Sequence, residues 1–122
     1  MATSPLPEHA ECFRPSEHGH KPRPERTIGA ASALFSALGD RSRLRLMELL
    51  YDGPHCVGEL AEELGEGLST VSQRLKLLNH ARLVRRERHG KHIYYSLADA
   101  HVREILESVF DHVEEETETG KQ

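Results

Sequence analysis

The chain has 122 residues and a formal net charge of −4, with 37% hydrophobic and 30% charged residues, which suits one soluble, helix-rich domain with a modest core. No apolar run approaches the roughly 20 residues of a membrane span, and the N-terminus lacks the basic-then-apolar pattern of a signal segment. Two cysteines, Cys12 and Cys56, are too few for a disulfide scaffold, so the expectation is a cytoplasmic protein without a membrane partner, its thiols inert or metal-ligating.

Residues 1–25 hold five of the six prolines, together with His9, Cys12, His18 and His20. Proline denies this stretch a helix or a central strand, so it reads as a flexible arm with possible metal ligands. A first helix is predicted over Glu25–Leu38, with Ile28, Ala31, Leu34, Phe35 and Leu38 on one face. Gly39 stops it and Asp40 N-caps a second helix, Arg41–Tyr51, which buries Leu44, Met47 and Leu50 or their neighbours. Asp52, Gly53 and Pro54 break the chain. A third helix follows over Val57–Leu64, then the short link Gly65-Glu66-Gly67, then a fourth helix over Leu68–His80 with Val71, Leu75 and Leu78 inward. Two short helices around a glycine-containing turn form a helix-turn-helix signature.

The stretch "LVRRERHGKHIYYSL" reads as two strands, Leu83–Arg88 and His92–Leu97, around a turn at His89-Gly90-Lys91. A hairpin directly after a helix-turn-helix is a wing. The last helix runs from about Asp99 to Glu115, with an apolar stripe of Val102, Ile105, Leu106, Val109 and Val113. Residues 117–122 form an acidic polar tail. The fold is then mainly α with a small β-hairpin, a winged helix-turn-helix in the order α-α-α-α-β-β-α over residues 26–116.

Charge is segregated along this order. Residues 69–96 carry seven cations against one acid, whereas residues 99–118 carry eight acids against one cation. Two solvated faces would give the same totals, but the basic block coincides with the fourth helix and the wing. On that helix Ser69, Thr70, Ser72, Gln73 and Lys76 face away from Val71, Leu75 and Leu78, as short polar side chains that can pair with base edges in a major groove. Arg85, Arg86, Arg88 and Lys91 on the wing suit phosphates. The expected partner is double-stranded DNA, with an affinity that falls steeply with salt.

The acidic helix carries Asp99 and His101 at its start and His112 and Glu115 near its end. A single D-x-H or H-x-x-E is ordinarily a polar helix end. Here the two histidines are eleven residues apart, which brings them to nearly the same azimuth but separates them by roughly 16 Å along the axis. Zinc holds nitrogen and oxygen ligands at about 2.0–2.2 Å, so one helix cannot close a site around one ion. Two copies packed antiparallel across a two-fold axis can, and symmetry makes two sites. The apolar stripe supplies the dimer contact.

Together these segments resemble the ArsR/SmtB family of metal-sensing winged-helix repressors, over residues 30–115. The resemblance rests on "LGDRSRLRLMELL", "CVGELAEELGEGLSTVSQRLKLLNHARLV", "RRERHGKHIYYSL" and "DAHVREILESVFDHVEE". It implies a homodimer that binds operator DNA in the apo state and releases it on binding Zn2+, or Cd2+ or Co2+. It also implies an intersubunit site of Asp99 and His101 with His112 and Glu115 of the other chain, and a relay from His112 to an acceptor near Arg82. The segment "CVGE" resembles that of members with a second, softer site, which implies Cys56 and Glu59. A metal there would draw Cys12 and one of His9, His18 or His20 from the arm; the alternative is a buried structural Cys56 beside a disordered arm. The chain departs from the family pattern at Gly67, where many relatives have serine. In the arm, Cys12 lies six residues before His18, where thiolate-site members often have ligands four apart. A thiol or redox switch at Cys12 and Cys56 is the alternative to metal. An enzyme is not expected, because the chain has no H-E-x-x-H motif and four protein ligands leave zinc no open position.

Overall fold

The computed structural model describes residues 19–120, with side chains described through residue 115. His9, Cys12 and His18 of the predicted arm and of the predicted second metal site lie outside the described residues.

Helix α1 (Glu25–Leu38) starts directly after Pro24, whose carbonyl accepts from the Thr27 and Ile28 amides at 3.0 and 3.1 Å. It stops at Gly39. Asp40 then caps α2 (Arg41–Leu49), its carboxylate accepting from the Arg43 amide at 3.0 Å. The Arg43 guanidinium reaches back to the Ala37 carbonyl at 2.7 Å, which satisfies an orphan acceptor at the end of α1 and ties the two helices together. Helix α2 closes at Leu49, two residues short of the expected Tyr51, because Leu50–Asp52 tighten into a 3-10 turn.

His55–Cys56 form a two-residue strand, β1, which the periodicity did not reveal. Helices α3 (Val57–Leu64) and α4 (Leu68–His80) follow, separated by Gly65 at φ +67°. Strands β2 (Val84–His89) and β3 (His92–Leu97) complete an antiparallel sheet in the order β1-β3-β2, so the wing hairpin is extended by one short strand. The hairpin turns on two residues, Gly90 and Lys91, and β2 runs to His89, which pairs with His92. Gly90 at φ +65° has the backbone that tight hairpin turns require.

Helix α5 (Ala100–Gly120) begins one residue later than expected, because Asp99 is its cap: the carboxylate accepts from the Val102 amide at 3.0 Å. The helix also continues over residues 117–120, part of the expected polar tail. Thr117, Glu118 and Thr119 include no breaker, and glycine is the first residue there that strongly disfavours a helix.

The core gathers Leu46, Met47 and Leu50 with Leu60, Val71, Leu75, Leu78, Leu83, Tyr95, Val102 and Leu106. Two expected apolar faces divide on packing. On α1, Leu34 and Leu38 lie against the core, whereas Ile28, Ala31 and Phe35 are exposed. On α5, Val102 and Leu106 are buried and Ile105 is half-buried, whereas Val109 and Val113 are exposed. Each helix therefore uses one edge of its apolar face in its own chain and leaves the other edge bare. No described helix is long and apolar enough to cross a membrane.

Candidate nucleic-acid interface and metal ligands

Burial of Val71, Leu75 and Leu78 fixes the roll of α4. Ser69, Thr70, Gln73 and Lys76 are exposed, as expected, and Ser72 is half-buried at the edge of that face. The cations then separate by partner. Arg74 is held by Glu66, and the Arg88 side chain donates to the Gly90 carbonyl at 3.2 Å within its own turn. Lys76, Arg85, Arg86 and Lys91 have no hydrogen-bond or ion-pair partner among the described residues. Arg85 stands opposite Ser96 and Arg86 opposite the buried Tyr95, so the two arginines leave opposite faces of the edge strand.

The joint between α4 and the wing is built by backbone. The Arg82 amide donates to the Asn79 carbonyl at 3.0 Å, and the Leu83 amide to the Leu78 carbonyl at 2.9 Å. This is a Schellman closure, which ordinarily places glycine at the left-handed position. Arg82 occupies it at φ +65°, the one non-glycine residue with positive φ among those described. Asn79 adds a side-chain hydrogen bond to the Val84 carbonyl at 3.0 Å. Sequence reasoning missed Asn79; an amide side chain in the last turn of a helix that feeds a strand was the available signal. Asn79, Arg82, Arg85 and Arg86 line one cleft with Asp99, so the base of the wing and the start of α5 meet there.

Asp99 and His101 converge, with carboxylate and imidazole 3.9 Å apart. His112, eleven residues beyond His101, and Glu115 are exposed and about one turn apart on the same helix. Among the described residues no group of three His, Cys, Asp or Glu side chains could hold a metal ion. One chain therefore assembles half of the predicted site at most. Its donors, imidazole nitrogen and carboxylate oxygen, suit zinc. His101 also rims an apolar cleft between α1 and α5 lined by Phe35, Ile105 and Val109, so the half-site borders the bare apolar edge.

Cys56 is a half-buried free thiol at the start of α3. The Glu59 carboxylate accepts from the Cys56 amide at 3.0 Å, which gives Glu59 a capping role alongside the predicted ligand role. His20 is exposed ahead of α1.

Residues 40–86 match the family described as "Bacterial regulatory protein, arsR family". The chain is 47% identical over 81 residues to a transcriptional repressor SmtB homolog from a Synechocystis species, a match that spans 66% of this chain and 61% of the relative, less than two thirds of its length. It is 33% identical over 88 residues to the cadmium resistance transcriptional regulatory protein CadC homolog of Staphylococcus aureus, spanning 71% of this chain and 73% of the relative. Among solved structures, the homodimeric winged helix-turn-helix DNA-binding domain of Mb0332 from Mycobacterium bovis, a possible ArsR-family transcriptional regulator, superimposes with a TM-score of 0.75 at 27% identity, over 80% of this chain and 93% of that one.

Proposed function

The chain belongs to the ArsR/SmtB family of bacterial winged-helix regulators, and from that premise we propose that it is a cytoplasmic, metal-responsive repressor that holds operator DNA as an apo homodimer and releases it on binding zinc or a similar divalent ion. The observation that carries this is the division of α5. Asp99 and His101 converge at its start, and His112 and Glu115 share its far end. The surface between them carries the exposed Val109 beside Phe35 of α1. A second copy laid antiparallel on that surface covers the apolar edge and brings its His112 and Glu115 to Asp99 and His101. The homodimeric M. bovis domain and the cadmium-resistance relative support the two halves of this reading.

Release follows from where the half-site sits. Asp99 opens on the same cleft as Arg82, at the joint that sets the angle between α4 and the wing. His112 of the second copy, oriented through one ring nitrogen, donates from the other to a backbone acceptor near Arg82. The joint and the relative tilt of the two copies are then held together, and two recognition helices no longer fit successive major grooves about 34–36 Å apart. An ion favours one dimer shape and DNA the other, so each weakens binding of the other by the same factor. A softer ion would draw instead on Cys56, with Glu59 and with Cys12 and a histidine of the arm.

The test is anisotropy of a labelled duplex, enriched from a random pool by the apo protein, titrated with protein in chelator and then in zinc, cadmium, cobalt or nickel. A hundredfold loss of affinity, about 2.8 kcal/mol, is expected with at least one ion. Equal affinity in all five conditions would refute the switch.

A further inference from the structure

We propose that Leu68 is a base-reading residue, which packs its side chain against the 5-methyl group of a thymine in the operator. The inference deepens the proposed function, since it rests on α4 being the helix that enters the DNA. Every leucine among the described residues is in the core or packed against it, except Leu68 and Leu77. Leu77 lies in a cleft between α1 and α4 with Ala33 and Ala37. Leu68 is the more exposed of the two, at 60%, and stands at the first position of α4, beside the exposed Ser69 and Thr70.

Gly67, just before it, gives an independent observation. Its φ of −71° is open to any residue, and a Cβ placed there would meet nothing within 4 Å. Neither backbone conformation nor internal packing explains a glycine at this position. A capping side chain would also favour the helix by a few tenths of a kcal/mol over glycine. A bare backbone at the tip of α4 leaves room for closer approach of another surface than a side chain would allow. The surface it would meet is the major groove, where thymine alone among the four bases presents a methyl group. Ser69, Thr70 and Gln73 offer polar groups to base edges, and Leu68 supplies a larger and more exposed apolar surface than the Thr70 methyl.

The experiment uses the full-length apo protein and the duplex it enriches from a random pool, with each thymine in turn replaced by uracil, which removes only the methyl. Wild type is expected to lose about fourfold in affinity at one thymine per half-site, the transfer value of one buried carbon. Leu68→Ala should bind the thymine and uracil duplexes equally, and Leu77→Ala, the control on the same helix, should keep the fourfold difference. No uracil effect at any position in wild type would overturn the assignment, as would a full effect retained in Leu68→Ala. Transfer of the loss to Thr70→Ser would assign the methyl contact to Thr70 instead and overturn it too. If no duplex is enriched at all, α4 is not a DNA-reading helix, a failure of the underlying function that is distinct from these.

Discussion

The Leu83 amide donates to the Leu78 carbonyl at 2.9 Å, and the two side chains are fully buried together in the core. This pair closes the recognition helix and starts the wing in one step, and it forces the residue between, Arg82, into the left-handed region. The Arg82 side chain is exposed and has no partner among the described residues, so nothing local compensates for that conformation. A left-handed non-glycine residue costs about 1–2 kcal/mol. Arg82→Gly is therefore expected to raise unfolding stability by about 1 kcal/mol, allowing for the extra freedom glycine brings to the unfolded chain. Urea unfolding at fixed protein concentration measures this, and an unchanged or lower midpoint would show that the arginine side chain stabilises the joint.

Asp99 has two separable jobs. Its carboxylate caps α5, and in the proposed site it is a ligand. Asp99→Ala should lose both, with a cap loss of about 0.5–2 kcal/mol. Asp99→Asn should keep the cap and the stability but lose zinc-driven release. His112→Gln should likewise stay folded, dimeric and DNA-competent while remaining on the duplex in zinc. Release of DNA from either Asp99→Asn or His112→Gln at the wild-type zinc concentration would place the switch elsewhere.

The bare edges of α1 and α5 are expected to meet in the dimer. Phe35 and Val109 stand outside the core cluster, so charging them should leave the fold of each chain intact. Val109→Asp and Phe35→Asp should each shift the apo protein from dimer to monomer at micromolar concentration in sedimentation, with unchanged helical circular dichroism and weakened DNA binding. A wild-type monomer in the same experiment would rule out this packing.

DNA contacts should divide by position. Gln73→Ala removes an exposed amide from α4 and should narrow the gap between preferred and mismatched duplexes by about 1–3 kcal/mol. Arg86→Ala removes a wing cation and should weaken all duplexes alike, reducing the salt slope by about one. Affinities for matched and scrambled duplexes at several salt concentrations separate the two. A Gln73→Ala variant of unaltered specificity would mean that α4 is rolled differently on DNA.

Cys56 tests the softer site. Cadmium should produce a sulfur-to-metal absorption band in the wild type that is absent in Cys56→Ser, while zinc release through α5 persists. Serine is a good N-cap residue, so this variant should keep α3 in place. A band of full intensity in Cys56→Ser would remove Cys56 from the site.

Much of the fold was legible along the chain because its signals are local. The 3.6-residue periodicity of Val71, Leu75 and Leu78 set the roll of α4, the caps at Asp40 and Gly65 set helix ends, and Gly90 set the wing turn. The pairing of Asp99 with His101 needed only their spacing at a helix start. What the tertiary structure decided depends on contacts between residues distant in sequence. Strand β1 exists only because His55 and Cys56 find Tyr95 and Tyr94 about forty residues later, and two residues alone carry no period. Arg103 stacks over the Tyr51 ring at 4.1 Å and bonds the Tyr51 carbonyl, fastening α5 to the 3-10 turn that follows α2 through a pair no pattern marks. The division of the α5 stripe is of the same kind. Val102, Leu106, Val109 and Val113 are alike in sequence, and only packing shows which are buried within the chain and which are exposed. Hydrophobic patterning specifies that a face will be buried; the geometry of the neighbouring elements determines what buries it.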